Sequence, residues 1–400
     1  MNKRATIYTI KYTLVNLTYF ACYCTLHAYT AVFLLGRGFS NTSIGLVLCL
    51  ANVISALLQP VVAAVVDRGG FFTNKRTSIL CAALLAALCL VLYFVRLQPV
   101  IFIVYLVAYS IQMIYQPLIM AMGFEYNAAG AGLNFGLARG LGSVGFAATS
   151  AIVGNVLVGH GVSSLQVMNM ALLLLGILTL VIFVKPERTL EGDREQAAEE
   201  TEGGDGLSVL GFVRKYPFFM LFVLAGTLMF FSHNALNDYL IQIIEPIGGD
   251  ERTMGYMVMF AAVLELPTMA LFTRLEKKFG CLNLLMLSGV MFFVKNLIMY
   301  FAGNIAGACV SQCCQLLAYA MFIPASAYFA ELTMDRQDKT KGQAYVNMSI
   351  TLGGVFSSLV CGRLLDLYSV RVMLLVAGAV GACGMVLGIV SLTCEKKKAG

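Results

Sequence analysis

The sequence predicts an all-α membrane protein, with twelve transmembrane helices in two pseudo-symmetric six-helix bundles. Three observations carry this expectation. Hydrophobic residues make up 59% of the chain and charged ones only 12%, with a mean hydropathy of +0.83. Soluble domains hold about 45–50% apolar and about 25% charged residues, so lipid must be the solvent for most of this chain. Twelve apolar segments reach the roughly 20 residues that a bilayer core requires. An acidic stretch then divides those segments six and six.

The segments follow in order. Span one, 8–34, begins after the basic pair Lys3-Arg4, and span two, 43–66, contains Pro60 and stops at Asp67-Arg68. Span three, 78–95, opens after Lys75-Arg76; spans four to six run over 99–124, 135–158 and 164–184. The second set covers 217–243, 253–275, 281–302, 305–330, 343–365 and 370–393. Backbone groups in hydrocarbon must pair internally, and continuous runs of this length fit helices rather than the alternating strands of a barrel. No small-residue cleavage site follows the first apolar run, so span one is expected to stay in the mature protein.

Between the sets, residues 186–206 hold eight of the twenty-one acids and no aromatic residue. That composition predicts a solvated linker. The expected organisation is a bundle over 1–185, a cytoplasmic acidic linker over 186–214 and a second bundle over 215–400.

Basic residues orient the spans. With the N-terminus inside, nineteen fall on the cytoplasmic side: Lys3, Arg4, Arg68, Lys75, Arg76, Lys185, Arg188, Arg194, Arg214, Lys215, Arg274, Lys277, Lys278, Arg336, Lys339, Lys341 and Lys396 to Lys398. Only Arg37, Arg96, Arg252 and Arg371, four in all, face the other side. A multi-pass protein of the cell membrane with both termini cytoplasmic is expected. This placement also reads the +6 net charge as a topology signal, and no nucleic-acid partner is implied.

Several chemistries are excluded. The twelve cysteines lie mostly inside apolar runs without CxxC spacing, and histidines number three, so neither a disulfide framework nor a zinc site is expected. No nucleophile–base constellation or phosphate loop occurs; "GLGSVG" at 140–145 lies inside a span and reads as helix packing. No enzyme activity, cofactor, metal or obligate protein partner is expected.

The two halves repeat one another. "LLQPVVAAVVDR" places Pro60 eight residues before Arg68, and "LELPTMALFTR" places Pro267 seven before Arg274. Span five opens Gly136-Leu-Ala-Arg139, span eleven Gly342-Gln-Ala-Tyr345, and spans one and seven each carry a histidine, His27 and His233. Two homologous bundles are the plan of secondary transporters, in which a solute binds near the midplane and its access alternates.

At these residues the chain resembles the major facilitator superfamily. The family signature G-x-x-x-D-R/K-x-G-R/K-R/K stands here as Ala63-x-x-x-Asp67-Arg68-x-Gly70, with Lys75-Arg76 delayed by four residues. The stretches "SNTSIGLVLCLANVISALLQP", "NFGLARGLGSVGF", "GYMVMFAAVLELP" and "GGVFSSLVCGRLLDLY" are similar to the lactose permease and its relatives, the oligosaccharide and nucleoside proton symporters. Asp67, Arg68, Lys75 and Arg76 lie in the loop between spans two and three, where a gating latch is expected: Asp67 to cap or pair near a neighbouring helix end, the bases to grip acids or carbonyls at helix C-termini. The resemblance implies a sugar-binding arginine at Arg139, a stacking aromatic at Phe146, a cavity glutamate at Glu265 and a base at Lys295. The permease's acid of span four falls on Ala121, with Glu125 four residues on. The histidine and glutamate of its span ten are replaced by Tyr319 and Phe322, which puts lactose and that proton route in question. The fifth span lacks the proline of the drug antiporters' motif, which favours symport over export.

Charges inside the membrane cost about 2.5–3.5 kcal/mol each and mark functional positions. Glu265 and Lys295 both lie fifteen residues from Gly280, which at 1.5 Å per residue sets them at one depth, roughly 22 Å from that turn. They are expected to pair or to share a wet cavity, as a proton-coupling or a structural pair. Glu125 and Arg139, seven residues either side of Gly132, share a shallower depth of about 10 Å; Glu125 either grips substrate or snorkels. His27 and His233 are donors to substrate or packed histidines. Asn234 makes the outer end of span seven polar. Gln112 with Gln116, and Gln315 with Tyr319, fall on common helical faces and offer hydrogen bonds to a hydroxylated solute or bridges between helices.

Together these readings point to a secondary active transporter, with proton-coupled uptake of a sugar, oligosaccharide or nucleoside by alternating access. Its partners are a small-molecule substrate, protons and the lipid bilayer. The alternatives are a proton-driven exporter of the same fold and a non-transporting membrane receptor.

Overall fold

A computed structural model describes residues 3–186 and 209–399. Most of the expected acidic linker, at 187–208, lies outside them. All regular structure among the described residues is helical. In the first half these are α1 (Lys3–Tyr23), α2 (Thr30–Gly36), α3 (Asn41–Asp67), α4 (Asn74–Phe94), α5 (Gln98–Ala128), α6 (Phe135–His160) and α7 (Ser164–Ile182). The second half contains α8 (Val209–Lys215), α9 (Pro217–Asp238), α10 (Leu240–Ile244), α11 (Glu251–Phe279), α12 (Cys281–Phe301), α13 (Ile305–Cys313), α14 (Tyr319–Thr333), α15 (Lys339–Leu367) and α16 (Val370–Ala399). Among the described residues eleven spans are long and apolar enough to cross a membrane, and the bent pair at residues 3–36, counted as one span, makes a twelfth.

Local chemistry sets the helix ends. Thr73 accepts from the Arg76 amide at 3.3 Å to start α4, Asn134 from Leu137 at 3.0 Å to start α6, and Asn304 from Gly307 at 2.9 Å to start α13. Each satisfies a donor that the first turn leaves unpaired. Large apolar side chains such as Leu57, Phe94, Leu174 and Phe301 are exposed along the spans, the pattern a hydrocarbon solvent permits.

Three expected spans are interrupted. Span one passes through a π-helical turn at Cys24–Ala28 and bends by 48° before α2. Span seven breaks at Tyr239, between α9 and α10. Span ten breaks between α13 and α14, where Cys314–Leu316 form a 3₁₀ turn and Ala318 leaves helical geometry.

The chain forms two compact units. The first contains residues 3–39, 50–186 and 251–259 of the described chain, and the second 40–49, 209–250 and 260–399. Buried tyrosines build the first: Tyr12 donates to the carbonyl of Ile119 at 3.1 Å, Tyr19 to Gln112 at 3.3 Å and Tyr105 to Leu26 at 2.6 Å. Gly142 and Gly145 pack against Phe20 and Leu17 of α1, leaving no room for a Cβ. The second unit is phenylalanine-rich, with Phe219, Phe222, Phe230, Phe292, Phe322 and Phe329 in one buried cluster. Phe322 stacks on Phe222 at 5.6 Å there.

Each unit contains the same clasp. In the first, Tyr29 donates to the Ser150 carbonyl at 2.7 Å, and Gly154 and Gly255 let the first turn of α11 close on α6. In the second, Tyr239 donates to the Ser358 carbonyl at 2.6 Å, and Gly362 and Gly45 let the first turn of α3 close on α15. Tyr29 and Tyr239 even share backbone angles, φ −103° and ψ 17° against φ −115° and ψ 26°. The clasp fixes the repeat at 210 residues from Tyr29 to Tyr239 and 208 from Ser150 to Ser358. At that offset His27 corresponds to Asn237, and the two histidines matched in the sequence are not equivalent. The Gly136 and Gly342 openings, 206 apart, are likewise two residues out of register.

Candidate functional site

The break in span ten builds the centre of the second unit. With the helix interrupted, the Ala318 carbonyl accepts from the Ser288 hydroxyl at 2.7 Å, and Ser311 donates to the Lys295 carbonyl at 2.6 Å. These bonds hold the 3₁₀ turn against α12. Gln315 on that turn then joins the acid and the base of the neighbouring helices. The buried Lys295 ammonium donates to Gln315 Oε1 at 2.7 Å, and Gln315 Nε2 donates to Glu265 Oε1 at 2.8 Å. The pair expected from equal depth is thus joined through an amide. Lys295 is only 1% exposed, so its charge depends on this partner.

Next to the amide chain, His233 is buried and stacked face to face on Tyr319, with centroids 5.1 Å apart and an interplanar angle of 8°. Asn237 Nδ2 donates to its Nε2 at 2.8 Å, and Nδ1 finds no hydrogen-bond partner among the described residues. Asn234, half-buried, lies against Gly354. The break also undoes one expectation. Gln315 and Tyr319 do not share an α-helical face, because the chain between them turns as 3₁₀ and then leaves helical geometry at Ala318.

In the first unit the π turn carries His27, and π turns mark functional positions in many helices. The His27 ring lies 4.5 Å from Tyr23 and 5.1 Å from Tyr109, and Tyr23 lies 6.1 Å from Phe146. Arg139 covers the face of Phe20 at 4.1 Å, a cation–π contact, and Phe20 meets Tyr23 edge-on at 6.2 Å. Arg139, Phe146, Tyr23 and His27 thus form one continuous aromatic and basic surface. Gln112, on α5, is buried, and neither amide atom has a hydrogen-bond partner among the described residues; Gln116, one turn on, is half-buried.

Glu125 is held by groups at the start of α4 and beyond α7. Lys185 contacts one of its oxygens at 2.7 Å and Asn74 donates to the other at 3.1 Å, among the bases Lys75 and Arg76. Lys75 donates to the carbonyl of Val181 in the last turn of α7 at 3.1 Å, and Arg76 to that of Phe71 at 3.4 Å. Asp67 and Arg68, expected to cap or pair with neighbours, are exposed, and neither side chain is hydrogen-bonded or ion-paired among the described residues. Gly69 and Gly70, with φ of 73° and 84°, turn the chain at once and carry it away from them.

Sequence reasoning passed over several residues. The clasp tyrosines resembled any interfacial aromatic. Buried Asn169 accepts from Thr25 at 2.9 Å and donates to Cys89 Sγ at 3.3 Å; a lone asparagine in span six was its only signal. Asp338 is buried beneath Lys215 at 2.7 Å and Tyr216 at 2.9 Å. Two carboxylates, Asp335 and Asp338, hold the Lys215 ammonium well above its ordinary pKa, and Lys215 holds Asp335 below its own.

Comparison with known proteins agrees with this architecture. The model of the MFS_1 like family matches residues 9–376. A maltose permease of Geobacillus stearothermophilus is 26% identical over 370 residues, covering 92% of this chain and 89% of that protein. An uncharacterized transporter of Bacillus subtilis (strain 168), YwbF, is 23% identical over 181 residues, 45% of each chain. Among solved structures, a mutant of the nucleoside transporter NupG superposes with a TM-score of 0.80 at 15% identity, covering 96% of this chain and 99% of that one. A mutant of the peptide transporter POT gives 0.72 at 9% identity, covering 97% and 94%. At such identities the structural likeness concerns the fold alone. With the family model spanning nearly the whole of a twelve-span helical chain, the protein is a multi-pass membrane transporter, not an enzyme, and belongs to the MFS_1 like family.

Proposed function

We propose that the protein imports a small polar organic solute, a sugar, oligosaccharide or nucleoside, together with protons across the cell membrane. The observation that carries this reading is the Lys295–Gln315–Glu265 chain, buried at Lys295 and Gln315 and half-buried at Glu265. An acid and a base joined through one amide respond together. Protonating Glu265 removes the negative charge that strengthens the bond from Gln315 Nε2, and the effect reaches the ammonium that the same amide holds. A solute hydroxyl that competes for the amide perturbs the same chain, which gives proton and solute a shared element to bias.

In this reading each unit offers its own set of groups to a solute. Arg139, Phe146, His27, Gln112 and Gln116 supply a ring-stacking surface with polar donors in the first. His233, Asn234, Gln315 and Tyr319 serve in the second. The maltose permease among the relatives supports a sugar, and the nucleoside transporter of the same fold supports a ribosyl solute. Tyr319 and the packed Phe322 stand where the lactose permease carries its coupling histidine and glutamate, so the proton is assigned to Glu265. The basic residues, nineteen against four, support cytoplasmic termini.

Purified protein in liposomes tests the reading. An inward proton gradient is expected to drive accumulation of radiolabelled maltose or uridine, and Glu265→Gln to leave equilibration without accumulation. Accumulation indifferent to the gradient, or unchanged in the variant, would refute proton coupling. Solute extrusion down the same gradient would identify an exporter.

A further inference from the structure

The first unit contains a second polar site, away from the aromatic surface, where the N-terminus of α4 meets the C-terminal ends of α5 and α7. It is a cavity of about 690 Å³, lined by Gly70, Thr73, Lys75, Arg76, Glu125 and Lys185 among others. Its volume lies within the range of small-ligand sites, about 300–1,000 Å³.

The charges here do not cancel. Three bases face one acid, and both oxygens of that acid are already engaged by Lys185 and Asn74. Lys75 spends one donor on Val181 and Arg76 one on Phe71. An ammonium carries three donors and a guanidinium five, so most of the donors around this cavity remain for a ligand. Lys11 on α1 adds a further like charge within range of Lys75. A multivalent oxygen acceptor relieves that repulsion and takes several of these donors at once.

The rim identifies which acceptor. Phe71, 70% exposed, and Phe72, 40% exposed, meet edge-on at 5.3 Å beside the bases. Val181 and Val184, also exposed, line the cavity from the α7 side. A soluble anion has no use for such a wall, whereas an amphiphile with a charged head and hydrocarbon tails fits both parts. Clustered bases at the end of a transmembrane bundle attract anionic lipid, and exposed aromatics settle at the headgroup level.

We propose that this cavity binds the phosphodiester headgroup of an anionic phospholipid, with Lys75, Arg76 and Lys185 on the phosphate and Phe71 and Phe72 along the acyl chains. The site is independent of the solute assignment, since none of its residues joins the Lys295–Gln315–Glu265 chain.

Native mass spectrometry of the full-length protein in mild detergent tests this, with phosphatidylglycerol and phosphatidylcholine offered at equal concentration. Phosphatidylglycerol is expected to be retained at least tenfold over phosphatidylcholine. Lys75→Gln with Arg76→Gln should cut that preference at least fivefold, and the swap Lys75→Arg with Arg76→Lys should keep it. The swap retains both charges, so a loss through misfolding is distinguished from a loss of binding. Equal retention of the two lipids, or an undiminished preference in the glutamine variant, overturns the proposal. Inorganic phosphate at millimolar concentration is the second arm. If it alone raises the unfolding temperature as much as phosphatidylglycerol does, the ligand is a soluble phosphate and the lipid assignment is overturned.

Discussion

Tyr239 donates its hydroxyl to the carbonyl of Ser358 at 2.6 Å, at the point where Gly45 brings the first turn of α3 against α15. A Cβ at Gly45 would fall on that same carbonyl. Gly45→Val is therefore expected to destabilise the protein by about 1–3 kcal/mol, the usual cost of overpacking. Tyr239→Phe, which removes only the hydrogen bond, should cost about 1 kcal/mol. Thermal unfolding in detergent ranks the two, and Gly45→Val should be at least as damaging.

Gln315→Leu removes the acceptor of a buried ammonium and the donor to Glu265 in one step. Hydrogen bonds to charged groups are worth about 1.5–3 kcal/mol each, so a lowered unfolding temperature and loss of gradient-driven uptake are expected. Gln315→Glu keeps an acceptor for Lys295 but sets two carboxylates together. It should retain more stability than Gln315→Leu while still impairing transport, as paired unfolding and uptake measurements will show.

Tyr216 donates to Asp338 at 2.9 Å and accepts from the Asp335 amide at 3.2 Å. Tyr216→Phe should cost about 1.5–3 kcal/mol, since one of these bonds ends on a carboxylate.

The ion pairs of Lys215 predict a pH dependence. The pKa of Asp335 is lowered on folding, so its stabilisation is present above its unfolded value, about 3.9, and is lost as pH falls through the lower folded value. The pKa of Lys215 is raised on folding. Its share is present below about 10.4 and is lost at still higher pH. The difference in unfolding temperature between wild type and Lys215→Ala should thus be flat from pH 5 to about 9 and shrink toward pH 3.

Cys313 and Cys383 are exposed on spans, whereas Cys22, Cys24 and Cys89 are buried. A small membrane-permeant maleimide should label Cys313 and Cys383 ahead of Cys22, Cys24 and Cys89 in the folded protein. Mass spectrometry of tryptic peptides reads the outcome.

Hydropathy and the basic loops made the helical architecture legible, because lipid imposes one rule on every span. Counting residues from Gly280 set Glu265 and Lys295 at one level, and the structure puts the amide of Gln315 on both, because the rise per residue of a helix is constant. The interruptions at Cys24–Ala28, Tyr239 and Ala318 were not legible. They are changes of hydrogen-bond register inside sequences as apolar as their neighbours. The repeat was visible, but its register was misread through His27 and His233, since backbone contacts at Ser150 and Ser358 fix it rather than side-chain identity. Glu125 and Arg139 share a depth on adjacent helices, yet depth says nothing of azimuth, and Lys185 from beyond α7 takes the carboxylate.

The short 3₁₀ turn at Cys314–Leu316 has a mechanical consequence. Such a turn advances about 120° per residue, an α-helix about 100°. Rewinding its three residues into α geometry would swivel everything beyond by roughly 60°. Gln315 sits in the middle of that turn, so the same twist would carry its amide off the line joining Lys295 to Glu265.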